Sequence, residues 1–404
     1  MSRARGSWGF AGPLKANEVG LLLAIVLVVV LTGLLDANHN YWNDPWTSGK
    51  DIARQTAFLG IFSLGAAVVI ISGGIDLSSG SMIAFSGTVC ATMMVLLAPE
   101  EMKNAEPLGL TVITLAILAT LVVGFLVGSL HAWLITVVGL PPFVATLATL
   151  VGLRSLGRAI CENVTQQVFG GKSTQIQIYD RQFRTLATEV WIPVVIFVVL
   201  AAAIWLLLGR TVTGRHIYAQ GGNEQAARLS GIRTERVKWL AYCIGSLTAT
   251  VAGVLYIGDQ SVADPQTLGR GYELNAIAAA VVGGCSLQGG VGTVPGTLLG
   301  ALFLRTVIDG VAKIIKTGAD VYEGLIVGIV VVIAVAFSQF RQAVGGGREA
   351  FPGALGVVAL VTLALLAGVL ATLLAGRGVG AAAGTTALVL LVAWKFWEAA
   401  RRPG

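Results

Sequence analysis

Apolar runs of roughly membrane-spanning length, separated by short polar stretches, recur from one end of the chain to the other. A helix that crosses a bilayer needs about 20 consecutive apolar residues. By that measure the runs at 19–35, 52–72, 81–98, 108–130, 143–160, 190–208, 238–258, 293–312, 322–340, 353–375 and 381–397 each predict a membrane helix. A shorter apolar stretch, Asn275–Gly284, either completes a span or re-enters from one side. The expected fold class is therefore all-α, a polytopic integral membrane protein with about 10 core transmembrane helices and a C-terminal two-helix extension. The expected division is a short cytoplasmic segment at 1–18, a transmembrane domain at 19–340 with a large loop at 210–238, and an extra hairpin with a short tail at 341–404.

Composition excludes a soluble protein. Only 12% of the 404 residues are charged, and mean hydropathy is +0.81. Soluble domains carry about 25% charged residues. The 52 glycines suit helices that pack backbone to backbone, and the i, i+4 pairs Gly124/Gly128, Gly292/Gly296/Gly300, Gly324/Gly328 and Gly376/Gly380/Gly384 lay bare stripes on helix faces. These stripes read as packing within one subunit. The net charge of +6 reads as the bias of cytoplasmic loops towards Lys and Arg, not as a nucleic-acid surface.

Little catalytic chemistry is encoded. Cys90, Cys161, Cys243 and Cys285 are far apart, and His39, His131 and His216 are scattered, so no disulfide framework or metal site is expected. Gly170-Gly171-Lys172-Ser173-Thr174 looks like the end of a phosphate-binding loop, but Gln166 stands where the first glycine is required. No cofactor is expected, and the protein is not expected to be an enzyme.

Charge then orients the chain. The 210–238 loop carries Arg210, Arg215, Arg228, Arg233, Arg236 and Lys238 against Glu224 and Glu235. It should be cytoplasmic, as should the N-terminus with Arg3, Arg5 and Lys15. Alternate loops carry Asp36, Asp44 and Asp51; Glu100, Glu101 and Glu106; Asp259, Asp264 and Glu273. If Asn275–Gly284 spans, the C-terminus is cytoplasmic and Lys313 and Lys316 lie outside; if it re-enters, those sides exchange.

Three segments hold candidate function. Gly73-Gly74-Ile75-Asp76-Leu77-Ser78-Ser79-Gly80 and Gly283–Gly290 both read G-G-x-x-L-x-x-G, an internal echo that suggests two broken helices in corresponding halves. Asp76 is an ionisable residue at membrane depth, so it either caps the following helix, with Ser78 or Ser79 as other candidates, or lines a solute path. In the basic loop, Asn223 is a good N-cap, Glu224 sits at the positive end of the helix dipole and Gly231 supplies a stop. That encodes a helix of about two turns, too short to stand alone in water, which must dock on its own protein or on a partner. Gly221 and Gly222 would let the chain turn into it, Ala226 and Ala227 would allow close approach, and Arg228 would offer donors.

The run Gly214–Gly231, including Arg215, resembles the ATPase-contacting loop of the ribose/xylose/arabinose-type ABC-transporter permeases. So do Gly73–Ser81, Leu140-Pro141-Pro142-Phe143-Val144-Ala145-Thr146-Leu147, Gly271–Ala279 and Gly283–Gly300, in family order over roughly 15–340. The resemblance implies a sugar-import permease in the bacterial inner membrane. It would pair with a second permease subunit, a separate ATPase that binds the ATP, and a periplasmic substrate-binding protein. It also implies a coupling role for Gly214–Gly231 and places Asp76 and its neighbours among the central helices; Ser78, Ser79, Phe143, Thr146 and Asn275 are further candidates for the path. Asn275 stands where the family usually has Asp, and the hairpin after about Pro352 extends past the family's usual end. The competing readings are a stand-alone secondary transporter coupled through Asp76, and an ABC permease for nucleosides.

Overall fold

The computed structural model describes residues 16–315, 324–325, 327–329, 332, 353–375 and 377–400. The expected helix at 322–340 falls largely outside the described residues. The chain divides into two compact units, Met1–Val331 and Val332–Gly404.

The first unit is helical almost throughout. Its long helices are α1 (Ala16–Leu35), α3 (Pro45–Ile71), α4 (Ser79–Leu97), α6 (Gly109–Thr136), α7 (Pro142–Phe169), α9 (Trp191–Arg210), α12 (Thr234–Gln260) and α14 (Val294–Ile315). Shorter helices connect them: α2 (Asn40–Asn43), α5 (Pro99–Asn104), α8 (Arg181–Thr188), α10 (Val212–Gly222), α11 (Glu224–Leu229) and α13 (Tyr272–Val282). The only sheet among the described residues is a two-residue antiparallel pairing of β1 (Ile176–Gln177) with β2 (Val262–Ala263). The long helices begin where expected, or earlier. Pro45 is pre-set for a first helical turn and the Asp44 carboxylate accepts from the Thr47 amide at 3.1 Å, which starts α3 before the apolar run does.

Except for α7, whose outer face is polar, burial runs opposite to apolarity. The most apolar spans, α1, α6 and α9, lie at the periphery, with hydropathy near 2.7–2.8 and little of each buried. The core is α3, α4 and α12, whose most apolar 18-residue windows have hydropathy 1.7 and are 89%, 83% and 78% buried. The physical reason is the solvent: lipid accepts only apolar side chains, whereas a helix enclosed by protein tolerates Ser and Thr. Small residues set the packing. Gly65 faces Gly245 and Thr248, Gly128 lies against the Cys243 backbone, Gly124 against Thr250, and Gly253 against Ile83 and Ser86. Phe58, Phe62, Tyr256 and Tyr272 then fill the space between α3, α12 and α13, with Phe62 stacked on Tyr272 at 6.1 Å.

The unit has two rims. On one, Arg54 pairs with Asp259 at 3.0 Å, Lys313 Nζ donates to Ser48 Oγ at 2.9 Å, the Tyr41 hydroxyl donates to Asp309 at 2.7 Å, and the Leu108 amide donates to Asp180 at 2.9 Å. This rim gathers the acidic loops. The opposite rim carries α10 and α11 with the basic loop, and the turns after α3 and α13, which meet where the Gly290 amide donates to the Ile71 carbonyl at 2.9 Å. Since α12 ends on the acidic rim and α14 starts near the basic one, the chain between them crosses. The chain passes from one rim to the other through 261–271, which holds β2 and then turns, and through α13, the passage that spanning requires. Exposed Trp42 and Trp46 belong to the acidic rim, as expected of aromatic side chains at a membrane–water boundary.

The second unit contains α15 (Gly353–Ala375) and α16 (Arg377–Ala400). They run antiparallel at close approach, with Gly368 against the Gly380 carbonyl and the Gly384 Cα. Gly380 and Gly384, read as a packing stripe, do pack within the hairpin.

Candidate functional site

The segment after α3 builds a buried polar centre. Gly73, at φ +87°, turns the chain, and the Gly74 amide closes back on the Val69 carbonyl at 3.0 Å. Residues 74–78 then run without regular structure into α4. Asp76 is buried, and its Oδ1 accepts from the Ser78 amide at 2.8 Å and from the Ser78 hydroxyl at 2.6 Å. The expected cap is thus indirect: the N-cap position belongs to Ser78, which makes no side-chain cap bond, and Asp76 instead closes a turn just ahead of it. The other carboxylate oxygen faces α12, where a Cβ on Gly245 would come within 3.6 Å of it. Tyr242 is fully buried beside Gly74, and the His131 ring lies 6.2 Å from the Tyr242 ring.

Distant motifs converge here. The Thr146 hydroxyl, fully buried, lies 3.4 Å from the Ile75 carbonyl and 3.0 Å from the Pro142 carbonyl, which joins the L-P-P-F-V-A-T run to the segment containing Asp76. Ser79 is buried and its hydroxyl has no hydrogen-bond partner among the described residues. Asn275 is buried in the first turn of α13, and Glu273 sits against Gly80. Phe143 does not join this centre; it is 52% exposed on the outer surface of α7.

Arg154 was not among the sequence candidates, although an arginine inside an apolar run was a usable signal. Its guanidinium donates to the carbonyls of Pro265, Gln266, Leu268 and Gly269 at 3.0–3.4 Å. Those bonds hold the turns before α13 from the side, adding to the stretch's own backbone bonds such as Leu268 N–H to the Asp264 carbonyl at 3.1 Å. On the outer face of α7, Arg158 pairs with Glu162 at 2.6 Å while remaining 53% exposed, and Ser155, Asn163, Gln166 and Gln167 are exposed beside it. Such a face is unsuited to hydrocarbon; it fits water or another protein surface.

The basic loop is more ordered than expected. Thr211 starts α10, accepting from the Gly214 amide at 3.0 Å, and Gly214 is buried against the end of α9. Gly221 and Gly222 lie inside the last turn of α10, so they do not provide the turn into α11; Gly221 is there for close approach. Asn223 caps α11 as expected, accepting from the Ala226 amide at 2.9 Å, and Gly231 ends the segment at φ +82°. Ala227 is buried on the protein itself, whereas Arg215, Gly222, Ala226 and Leu229 face outward, Leu229 at 90% exposure. The Arg228 fork is used internally, on Glu235 at 3.0 Å and the Thr234 hydroxyl at 3.1 Å, and Lys238 holds Glu224 at 2.7 Å. The short helix therefore has its own docking surface and presents one large apolar side chain, Leu229, to solvent.

Residues 50–335 match the family described as branched-chain amino acid transport system / permease component. The chain belongs to this permease family. The permease is 33% identical over 325 residues to the ribose import permease protein RbsC of Escherichia coli K12, a match covering 80% of this chain and 93% of that protein. It is also 33% identical to the ribose import permease protein RbsC of Bacillus subtilis 168, over 81% of this chain and 94% of the relative. Against the xylose transport system permease protein XylH of E. coli K12 it is 32% identical, over 76% and 88%. No solved structure matches the permease. The family match ends before α15, so the hairpin lies beyond it.

Proposed function

We propose that the permease is the membrane subunit of an ATP-driven importer for a monosaccharide or similar small polar solute, working by alternating access. Its partners would be a separate ATPase, a substrate-binding protein outside the membrane and a second permease subunit, with the N-terminus in the cytoplasm of a bacterial inner membrane. The observation that carries this reading is α11: a capped helix, seated on its own protein, that exposes Leu229 on the basic rim of a chain with no phosphate-binding loop. The sugar class is supported by relatives named for ribose and xylose import. The polar outer face of α7 supports a second subunit enclosing a wet path, because Arg158 and Glu162 are then shielded from lipid.

The test is uptake into liposomes holding the permease with its cognate ATPase and binding protein. Monosaccharide accumulation that requires all three components and ATP is the expected result. Uptake by the permease alone, driven by a proton or sodium gradient, would overturn the proposal in favour of secondary transport.

A further inference from the structure

Three bare backbones meet at the basic rim. A Cβ on Gly221 would overlap the Ile71 carbonyl oxygen at the end of α3 and would stand 2.5 Å from the Gly290 amide nitrogen. A Cβ on Gly289 would stand 2.6 Å from the Gly221 carbonyl and 2.8 Å from the Gly73 Cα. The Gly290 amide closes the triangle by donating to Ile71. Two side chains of α10 add one bond to each turn: Gln220 Nε2 donates to the Ser72 carbonyl at 3.3 Å, and the Tyr218 hydroxyl donates to the Gly292 carbonyl at 2.9 Å.

We infer that the last turn of α10, centred on Gly221, is the joint through which the coupling loop moves the turn after α3 and the turn after α13 together. The inference rests on the function proposed above. Backbones in direct contact have no side chain between them to absorb a displacement, so what shifts one shifts the others. Only Asn223 separates α10 from α11, whose outer surface carries Leu229. On the far side, the turn after α3 leads within three residues to Asp76, and the turn after α13 leads into α14. A push received at α11 thus reaches the polar centre and the α13–α14 pair by one short route. The internal echo is used unequally here: its first copy contributes its leading glycine, Gly73, and its second copy its trailing pair, Gly289 and Gly290. Gly283 instead packs on Gly296, and Gly80 on Gly269.

The experiment compares ATP hydrolysed with solute taken up in liposomes containing the full complex. The double variant Tyr218→Phe/Gln220→Leu removes two hydrogen bonds and little volume. It should co-purify with the ATPase as the parent does and hydrolyse ATP, yet deliver about tenfold less solute per ATP, the scale of two modest hydrogen bonds. Gly221→Ala, the harsher change, should lose uptake more completely. Gly209→Ala, in open space in α9, should match the parent. Unchanged solute per ATP in the double variant overturns the joint. Loss of ATPase co-purification in that variant also overturns it, because these residues would then act in docking. If the parent itself neither binds the ATPase nor gains uptake from ATP, the proposed function falls, and the joint with it.

Discussion

Arg154 Nη2 donates to the Gly269 carbonyl at 3.1 Å, so a side chain of α7 holds the backbone that leads into α13. Three further carbonyls share that guanidinium, and lysine cannot reproduce its planar fork. Arg154→Lys should therefore lose about 2 kcal/mol, since a buried acceptor left unpaired costs about 1–3 kcal/mol. Thermal unfolding in detergent should show a lowered midpoint, and Arg154→Met a lower one still. An unchanged midpoint in both would mean that the 261–271 stretch holds itself.

Asp76→Asn tests whether the polar centre needs a charge. The Asn oxygen can still accept from the Ser78 amide, so the turn ahead of α4 should survive and transport should show a modest defect. Asp76→Ala removes the acceptor and should cost about 1 kcal/mol of stability or more. Complete loss of uptake by a well-folded Asp76→Asn permease would show instead that the carboxylate charge is used in the path.

At α11 two neighbouring positions should behave in opposite ways. Ala227 is buried on the permease itself, so Ala227→Trp overpacks the interior and should lower the yield of folded protein. Leu229→Asp changes an exposed side chain and should alter stability by no more than about 0.5 kcal/mol, while reducing ATPase co-purification. Retention of normal co-purification and uptake in Leu229→Asp would remove α11 from the coupling surface.

The two rims predict a labelling pattern. All four native cysteines are buried, so they can stay in place. On intact cells with a permeabilised outer membrane, a membrane-impermeant thiol reagent should label Trp46→Cys and spare Arg215→Cys. The reverse pattern would invert the proposed orientation.

Removing residues from Pro352 onward should leave uptake largely intact, because the family match stops at residue 335. Loss of solute transport by a truncated protein that still binds its ATPase would make the hairpin part of the transport cycle.

Periodicity and length were enough to find the long helices, because span length is set by the bilayer and apolar runs record it directly. The cap at Asn223 was equally visible, since capping is local chemistry. What stayed hidden depends on neighbours distant in sequence. Gly221 looked like a hinge because glycine serves both turning and close approach, and only the Ile71 carbonyl distinguishes them. Ala226 and Ala227 are alike in sequence, yet one faces solvent and the other the core. Arg154 and Tyr242 were overlooked for a related reason: each lies in an apolar run, where its partners come from other helices or loops.

The inverted burial of the long helices has a consequence for how the permease is made. Strongly apolar α1 is at ease in lipid as soon as it leaves the ribosome, but α3 and α4 are not enclosed until α12 has been synthesised, far later in the chain. During that interval their hydroxyls would face hydrocarbon. Ser63, Ser86 and Thr88 each donate to a carbonyl of their own helix, at Leu59, Ile83 and Ala84. These bonds need no other helix, so these three hydroxyls arrive already satisfied and can wait in the membrane for their neighbours, whereas Thr56, Ser79 and Thr92 have no such bond among the described residues.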